Sequence, residues 1–168
     1  MGKFALVTGA YGGMGKAAIA LFKNNGYTVF ALDKRVETEE NGVIPIECDV
    51  TDELSVQSAI KTIAATTDRL DAVVHYAGIY MLDSLVEMSY DDFKKIFAIN
   101  LFGVYLINKT AMSLLHAGSK IVIVTSELAP LAPLPFTGIY AVSKGALDKY
   151  AYALRMELQL LGISVSVI

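Results

Sequence analysis

The sequence predicts an α/β protein in which helices cover both faces of a doubly wound parallel sheet. Short apolar runs typical of buried strands alternate along the chain with longer segments whose apolar residues recur at helical spacing. A glycine-rich turn separates the first strand from the first helix, and the sequence contains no repeat or low-complexity tract. Because crossovers between parallel strands are right-handed, we expect six strands in the order 3-2-1-4-5-6.

The first predicted unit is a strand at Phe4–Val7, a turn at Thr8–Gly15 and a helix. Helical spacing places four residues on one buried face of that helix: Met14, Ala18, Leu21 and Phe22. A pyrophosphate bound at a helix N-terminus must approach backbone N–H groups, and a Cβ in the turn would hold it off. Glycines remove that obstacle, although they also serve ordinary tight turns.

A second strand at Tyr27–Leu32 ends in Asp33, twenty residues past Gly13. Dinucleotide sites place an acid at this position to bind ribose hydroxyls. The helix between the two strands ends at residues 24–26, Asn-Asn-Gly, which is a typical C-terminal signal. Together with the glycine turn, Asp33 predicts a Rossmann-type nucleotide-binding unit.

The middle of the chain adds two strands and a helix. After a charged connection at residues 34–41, we expect a third strand at Val43–Glu47 and then a helix capped within residues 48–52. The predicted buried face of that helix is Val56, Ala59, Ile60 and Ile63. The almost wholly apolar run Asp71–His75 is typical of a central parallel strand, and it leads into a small-residue turn at 76–78.

A long helix is predicted at Tyr90–Leu115. Its expected buried stripe is Phe93, Ile96, Phe97, Leu101 and Val104. Asn100 lies within this stripe, and a buried amide without partners costs roughly 1–3 kcal/mol. Asn100 therefore either ties down neighbouring backbone or belongs to a site.

The last third of the chain contains two strands around one helix. The fifth strand, Lys120–Thr125, delivers Ser126 at its carboxyl end, and a proline-rich apolar loop follows. The last helix is predicted at Gly138–Leu161 and the sixth strand within Ile163–Ile168. Natural domains seldom stop inside such a strand, so we expect residues 1–168 to be a single nucleotide-binding domain truncated after the sixth strand.

Composition limits the partners and the location. With 168 residues, 54% of them hydrophobic, the chain can bury one core. The net charge of −3, without a Lys or Arg run, argues against a nucleic-acid partner. The only cysteine, Cys48, can form no internal disulfide and lacks metal-ligand companions. No uninterrupted apolar run approaches the roughly 18 residues of a membrane span, so we expect a soluble cytoplasmic protein without a metal.

The residues suited to chemistry gather at one edge of the predicted sheet, where ligands bind outside the carboxyl ends of parallel strands. Five stretches lie there: Gly9–Gly15, Asp33, Asp49, Ala77-Gly78 and Ser126. The last helix adds Tyr140 and Lys144, which are four residues apart and share a face. A positive charge about 4 Å away supplies the roughly 4 kcal/mol that brings a phenol pKa from 10 to 7. An isolated Y-x-x-x-K also fits a packed Tyr and a solvated Lys.

Several motifs resemble those of the short-chain dehydrogenase/reductase family, in its shorter-chain NAD(P)-dependent oxidoreductase branch. The turn at Thr8–Gly15 matches T-G-x-x-x-G-x-G, and residues 140–144, Tyr-Ala-Val-Ser-Lys, are similar to Y-x-A-S-K. Asn100, in Asn-Leu-Phe-Gly-Val, is similar to the helix asparagine of the catalytic tetrad, and Ser126 is similar to the serine that ends the fifth strand. The likeness runs along the whole sequence, and the order and spacing of the motifs agree.

The resemblance implies hydride exchange between a nicotinamide ring and a carbonyl or secondary alcohol. Tyr140 would pass the proton to or from the substrate oxygen, while Ser126 would hold that oxygen and stabilise its developing charge. Lys144 would bind the nicotinamide ribose and lower the pKa of Tyr140. Asn100 would hold a water that links Lys144 to solvent as a proton relay.

The resemblance also implies a set of cofactor-binding residues: Gly9, Tyr11, Gly13, Met14, Gly15, Asp33, Asp49, Val50, Ala77, Gly78, Tyr140 and Lys144. Asp49 looks like the acid that contacts the adenine ring. Asp33 points to NAD rather than NADP, since its carboxylate would accept from the ribose 2′-OH and repel a 2′-phosphate. Lys34 and Arg35 follow directly and could soften that repulsion.

The sequence departs from the family pattern in two places. His75-Tyr76 stands where the family has two asparagines before Ala-Gly, and we expect His75 to be satisfied in the core rather than catalytic. The turn also reads Gly9-x-x-Gly12-x-x-Gly15, the spacing of sugar-nucleotide-modifying relatives. Two alternatives therefore stay open: a NAD-binding sensor without catalysis, and an epimerase or dehydratase that recycles its cofactor.

The resemblance extends to the substrate and to assembly. Family members generally continue into a segment that covers the substrate, so we expect this piece alone to be weak or inactive. Apolar residues after the fourth and fifth strands suggest either walls for an apolar alcohol or ketone, or simple packing against the core. They are Ile79, Tyr80, Met81, Leu82, Leu131, Leu134, Phe136 and Ile139. By analogy, the long helices would pair into a homodimer or homotetramer.

Overall fold

Six strands form one parallel sheet in the computed structural model, which describes residues 2–131 and 133–168. The strands are β1 Lys3–Thr8, β2 Tyr27–Asp33, β3 Val43–Glu47, β4 Leu70–His75, β5 Leu115–Ile123 and β6 Ser164–Val167. Their order across the sheet is β3-β2-β1-β4-β5-β6, which confirms the predicted doubly wound α/β fold.

The described residues form five α-helices. They are α1 Gly13–Asn24, α2 Glu53–Thr66, α3 Tyr90–Phe97, α4 Gly103–Ala111 and α5 Gly138–Leu158. A π-helical segment at Ala98–Phe102 joins α3 to α4, and residues 34–42 connect β2 to β3 without a helix. The predictions for α2 are confirmed: Asp52 caps it by accepting from the N–H of Leu54, and its four predicted core residues are buried.

The predicted helix at Tyr90–Leu115 is interrupted, so its expected buried stripe is only partly right. The buried large or polar residues of this stretch are Ile96, Asn100, Val104, Ile107, Asn108 and Leu114. Phe93 is 42% exposed instead. The physical reason is the π-helical segment, because its wider turn shifts the face that α4 presents relative to that of α3. The fifth strand also differs from the prediction, since β5 begins earlier and ends at Ile123 rather than Thr125.

The predicted buried face of α1 is wrong at two of its four positions, because Met14 is 60% and Leu21 65% exposed. The buried residues of α1 are Gly15, Ala18 and Ile19. A Cβ on Gly15 would lie 2.2 Å from the carbonyl oxygen of Gly9. The helix therefore packs so closely on the preceding turn that a glycine occupies a buried position where an apolar side chain was expected.

The strand register aligns the carboxyl ends that hold the predicted site. Thr8 of β1 pairs with Leu32 of β2 and with His75 of β4, and His75 pairs with Ile123 of β5. The residues that follow these four strands therefore emerge at one edge of the sheet. This edge is where the doubly wound topology places a ligand.

The stretch Tyr90–Leu114 is long and apolar enough to cross a membrane by length and composition alone. That signal is weak, because core helices pass the same test. Four of its residues belong to the main core cluster: Val104, Ile107, Ala111 and Leu114. The stretch also packs against α2 and α5, so its position in the fold is that of a core helix.

Candidate active site

The glycine turn leaves the N-terminus of α1 available to an anion. Gly12 is the N-cap, no side chain caps the helix, and no acidic residue lies in its first turn. The unpaired N–H groups and the positive end of the helix dipole can therefore bind a phosphate. Gly9 has a φ of +62°, and a Cβ there would lie 2.5 Å from the backbone nitrogen of Ala77. The close approach of the turn to the residues after β4 thus requires a glycine at position 9.

Gly13 differs from the other glycines of the motif because its surroundings are open. A Cβ on Gly13 would meet no atom within 4 Å, whereas a Cβ on Gly9 or Gly15 would strike backbone atoms. The packing of the protein itself therefore does not require a glycine at 13. A pyrophosphate lying against the turn would require one, because a methyl group would hold it away from the N–H groups.

Two acids lie at the carboxyl ends of β2 and β3: Asp33 is the last residue of β2, and Asp49 follows β3 by two residues. Asp33 accepts a hydrogen bond from the Tyr11 N–H at 3.0 Å, which ties the glycine turn to the end of β2. Asp49 lies 2.7 Å from the Lys34 ammonium, and it also accepts from the N–H and hydroxyl of Thr51. Partial burial raises the pKa of Asp49, but the hydrogen bonds from Lys34 and Thr51 outweigh it and hold the pKa below its usual value.

A cleft of about 280 Å³ brings part of the predicted cofactor site together. Six predicted cofactor-binding residues line it: Gly9, Asp33, Asp49, Val50, Ala77 and Gly78. Tyr11 lines a neighbouring groove between α1 and the connection at 34–42. A nucleotide spanning Asp49 and the turn would pass over Gly9, so the residues present fit the predicted dinucleotide.

Asn100 lies in the π-helical segment and is fully buried. Its Oδ1 accepts from the Ile79 N–H at 2.8 Å, and its Nδ2 donates to the Ile79 carbonyl at 3.0 Å and to Ser143 Oγ at 3.1 Å. The amide therefore fixes the backbone just after Gly78. A Cβ added to Gly78 would lie 3.3 Å from Asn100 Oδ1. The structure thus shows the backbone-tying role that the sequence left open, while the water relay stays a prediction.

We expect Asn100→Ala to lower the free energy of unfolding by about 2–4 kcal/mol, because two backbone groups of Ile79 lose their partners. Urea denaturation measures this change. Asn41→Ala, at an exposed position, is the matched control and should have little effect. Unchanged stability of Asn100→Ala would contradict the backbone-tying role and leave only a role in the site.

Lys144 is a buried cation one helical turn from Tyr140. Lys144 is only 6% exposed, and its Nζ donates to the Val124 carbonyl at 2.9 Å. The ammonium lies 5.9 Å from the centroid of the Tyr140 ring. A Cβ on Gly78 would be 3.7 Å from Nζ, so Lys144 reaches from α5 to the residues after β4 and β5. Burial lowers the pKa of Lys144 from 10.5 to about 8.

This shift predicts that Lys144→Met removes a pH dependence of stability. Between pH 8 and 10.5 the unfolded chain binds more protons at Lys144 than the folded chain, so the wild type gains stability as pH rises. From pH 8 to pH 10.5, the free energy of unfolding of the wild type should rise by about 3 kcal/mol relative to that of Lys144→Met. Urea denaturation near the two pH limits measures the difference, and Lys149→Met, an exposed lysine of α5, is the control. Parallel pH profiles for wild type and Lys144→Met would contradict the burial cost.

The loops after β4 and β5 meet above Tyr140. The Tyr80 ring contacts the Tyr140 ring edge to face, with centroids 4.7 Å apart. The Asp83 N–H donates to the Phe136 carbonyl at 3.0 Å, which joins the two loops. Ser126 follows β5, and its Oγ accepts from the Leu128 N–H at 3.2 Å. The only sequence signal for the Tyr80 contact was an aromatic residue near a strand end.

His75 lies in the core, as expected, and is 3% exposed. Its Nε2 is 2.8 Å from Asn108 Oδ1, and Asn108 Nδ2 donates to the Tyr150 hydroxyl at 3.3 Å. Because an amide oxygen can only accept, Nε2 carries the proton. Burial lowers the pKa of His75 to about 4, so the ring is neutral near pH 7. The sequence pattern did not predict these linked side chains, although the polar residue Asn108 within an apolar helix was a usable signal.

The predicted substrate walls are mostly exposed rather than packed in the core. The exposed members are Tyr80, Leu82, Leu131, Leu134 and Phe136, whereas Ile139 is fully buried. Ile139 is therefore a core residue and not a wall. Among the described residues, no group of three His, Cys, Asp or Glu side chains could hold a metal ion.

The fold is that of the doubly wound α/β class, and the cleft lies at the edge of the sheet where proteins of this class bind their ligands. The sequence model of the short chain dehydrogenase family matches residues 3–168. The chain therefore belongs to the short-chain dehydrogenase/reductase family.

Named relatives agree with this membership. The chain is 32% identical over 175 residues to the cyclopentanol dehydrogenase of Comamonas testosteroni, covering 98% of this chain and 70% of that protein. It is 30% identical over 170 residues to the NADPH-dependent 1-acyldihydroxyacetone phosphate reductase of Schizosaccharomyces pombe, covering 98% of this chain but only 57% of that protein. A short-chain dehydrogenase/reductase structure from Serratia marcescens superimposes with a TM-score of 0.92 at 26% identity, covering 99% of this chain and 77% of that one.

Proposed function

We propose that this chain forms the cofactor-binding and catalytic part of an oxidoreductase that moves a hydride between a nicotinamide nucleotide and a carbonyl or secondary alcohol. The observation that carries the proposal is the buried Lys144 ammonium, which lies beside Tyr140 and reaches the residues after β4 and β5. A buried cation next to a phenol is costly to the fold, but it favours the phenolate form that acid–base chemistry needs.

Each residue then has a proton-handling or positioning role. When bound, the nicotinamide ring supplies or accepts the hydride. Tyr140 exchanges the proton with the substrate oxygen, and Ser126 donates a hydrogen bond to that oxygen. Lys144 places its positive charge beside the Tyr140 ring and binds the ribose. Asn100 holds the backbone after Gly78 in place beside Lys144, and it positions the relay water.

The cofactor in this proposal is NAD rather than NADP. The Asp33 carboxylate, oriented by the Tyr11 N–H, would accept from a ribose 2′-OH and repel a 2′-phosphate. One relative is named NADPH-dependent, so family membership does not decide the choice. Asp33 is the residue of this chain on which the proposal for NAD depends.

The proposed substrate is an apolar alcohol or ketone. The exposed aromatic Tyr80 contacts Tyr140 directly, and the exposed Leu134 and Phe136 belong to the loop that meets it. The relative named cyclopentanol dehydrogenase acts on an alcohol of this kind by its name. Assembly into a homodimer or homotetramer and a cytoplasmic location remain proposals from the sequence.

The test combines calorimetric binding of NAD with a single turnover at enzyme excess, which detects slow chemistry. We expect deuterium transfer to NAD from at least one of a panel of C-deuterated secondary alcohols that includes cyclopentanol. Because residues 1–168 alone are expected to be weak or inactive, NAD binding without any transfer would contradict the proposal and indicate a sensor only when a longer chain that includes the substrate-covering segment also fails to transfer. Tightly retained NAD that never accumulates as NADH would instead indicate an epimerase or dehydratase.

A further inference from the structure

Lys34 is the first cation after Asp33, and its ammonium is already engaged. Lys34 Nζ lies 2.7 Å from Asp49 Oδ2, across the mouth of the cleft that both residues line. The backbone fixes this pairing, because the Cys48 N–H donates to the Asp33 carbonyl at 2.9 Å and extends the β2–β3 register by one residue. The residues after the two strands are therefore held side by side.

The acid of the pair is held more firmly than the base. Asp49 Oδ1 accepts from the Thr51 N–H at 2.9 Å and from its hydroxyl at 2.7 Å, and the Asp49 side chain is 33% exposed. The Lys34 side chain is 62% exposed, and its stem is free to change rotamer. Asp49 therefore positions the Lys34 ammonium, rather than Lys34 positioning the Asp49 carboxylate.

This arrangement matters for a cofactor that carries a 2′-phosphate. Such a phosphate would lie beside Asp33, which Lys34 and Arg35 follow directly. Of these two cations, Lys34 is the one that lines the cleft. In this chain the phosphate would have to compete with Asp49 for Lys34. A 2′-hydroxyl does not need Lys34, because it can donate to the Asp33 carboxylate alone.

We propose that Asp49 selects against 2′-phosphorylated nicotinamide nucleotides by holding Lys34 away from the 2′ position. The inference rests on the proposed function, and it assigns to Asp49 a specificity role in addition to its predicted contact with adenine. Asp33 repels the 2′-phosphate directly, and Asp49 withdraws the cation that would compensate.

The test is the ratio of NADPH to NADH dissociation constants, measured by cofactor fluorescence at low ionic strength. Adenine is common to both cofactors, so any loss of an adenine contact cancels in the ratio. Asp49→Asn keeps an oxygen that can accept from Thr51 and from adenine, but it releases Lys34. We expect Asp49→Asn to shift the ratio about tenfold toward NADPH, which is a typical effect of one partly exposed charge-assisted hydrogen bond.

Two further variants make the test specific to Lys34. Lys34→Met alone should change the ratio less than about threefold, because its charge is already committed to Asp49. The double variant Asp49→Asn/Lys34→Met should lose the gain of Asp49→Asn. Glu53→Gln removes an acid paired with Lys109 at 3.5 Å outside the cleft lining, and it controls for net charge.

Two results would overturn the inference while leaving the proposed function intact. One is an unchanged ratio in Asp49→Asn when both cofactors still bind. The other is an equal gain in Asp49→Asn and in the double variant, which would show repulsion by Asp49 itself and no role for Lys34. Binding of neither cofactor to the wild type would contradict the proposed function and the inference together.

Discussion

Tyr140→Phe should lower the rate of hydride transfer by about 10²- to 10⁴-fold, which is the usual contribution of a positioned acid–base group. The substitution removes the hydroxyl that exchanges the proton, but it keeps the ring and the edge-to-face contact with Tyr80. Cofactor affinity should change by less than about threefold, since one exposed hydrogen bond to a ribose is lost at most. Single-turnover deuterium transfer and calorimetry measure the two quantities separately.

Tyr152→Phe is the matched control for this experiment. Tyr152 lies on the same helix, twelve residues beyond Tyr140, and is 54% exposed, so its hydroxyl should be dispensable. If Tyr140→Phe kept more than a tenth of the wild-type rate, Tyr140 would not be the acid–base group. A large loss in both variants would point to damage to α5 instead.

Gly15→Ala should destabilise the protein by about 2 kcal/mol and abolish NAD binding. Alanine normally stabilises a helix relative to glycine by about 1 kcal/mol. Here the new Cβ would lie 2.2 Å from the Gly9 carbonyl oxygen and 2.6 Å from the Ala10 carbonyl oxygen. Overpacking costs about 1–3 kcal/mol or more, and backbone atoms cannot move aside as a flexible side chain can, so the clash outweighs the propensity. Urea denaturation and calorimetry report the two effects.

Gly13→Ala tests whether position 13 must be a glycine for folding or for cofactor binding. A Cβ on Gly13 meets nothing within 4 Å, so the free energy of unfolding should stay unchanged or rise by up to about 1 kcal/mol. NAD affinity should nevertheless fall at least about tenfold, because the methyl group would hold the pyrophosphate off the turn. Full NAD affinity in Gly13→Ala would mean that the phosphates do not approach this residue.

Strand positions and strand order were predictable because they depend on local pattern and on chain chirality. The run Val43–Glu47 is apolar and bounded by turn residues, so the observed β3 has the predicted bounds. The N-cap of α2 was readable from the short side chain of Asp52 next to an amphipathic stretch. The handedness of crossovers then leaves few ways to order six parallel strands.

Several packing details could not be read from the same pattern. The buried position of Gly15 follows from a backbone contact with Gly9, and a hydrophobicity pattern assigns no weight to a glycine. The π-helical segment Ala98–Phe102 shifts the buried face by a fraction of a turn, and a fixed period of 3.6 residues cannot represent such a shift.

In the candidate site, too, some features were predictable from local sequence and others depended on packing. The sequence by itself determined the motif residues and their placement at the carboxyl ends of the strands, because spacing along one strand or helix is a local property. Only the tertiary structure decided their partners: Asn100 with the Ile79 backbone, Lys144 with the Val124 carbonyl, and Lys34 with Asp49. The reason is that each pair joins segments distant along the chain or on separate loops, and their distance depends on how the elements pack.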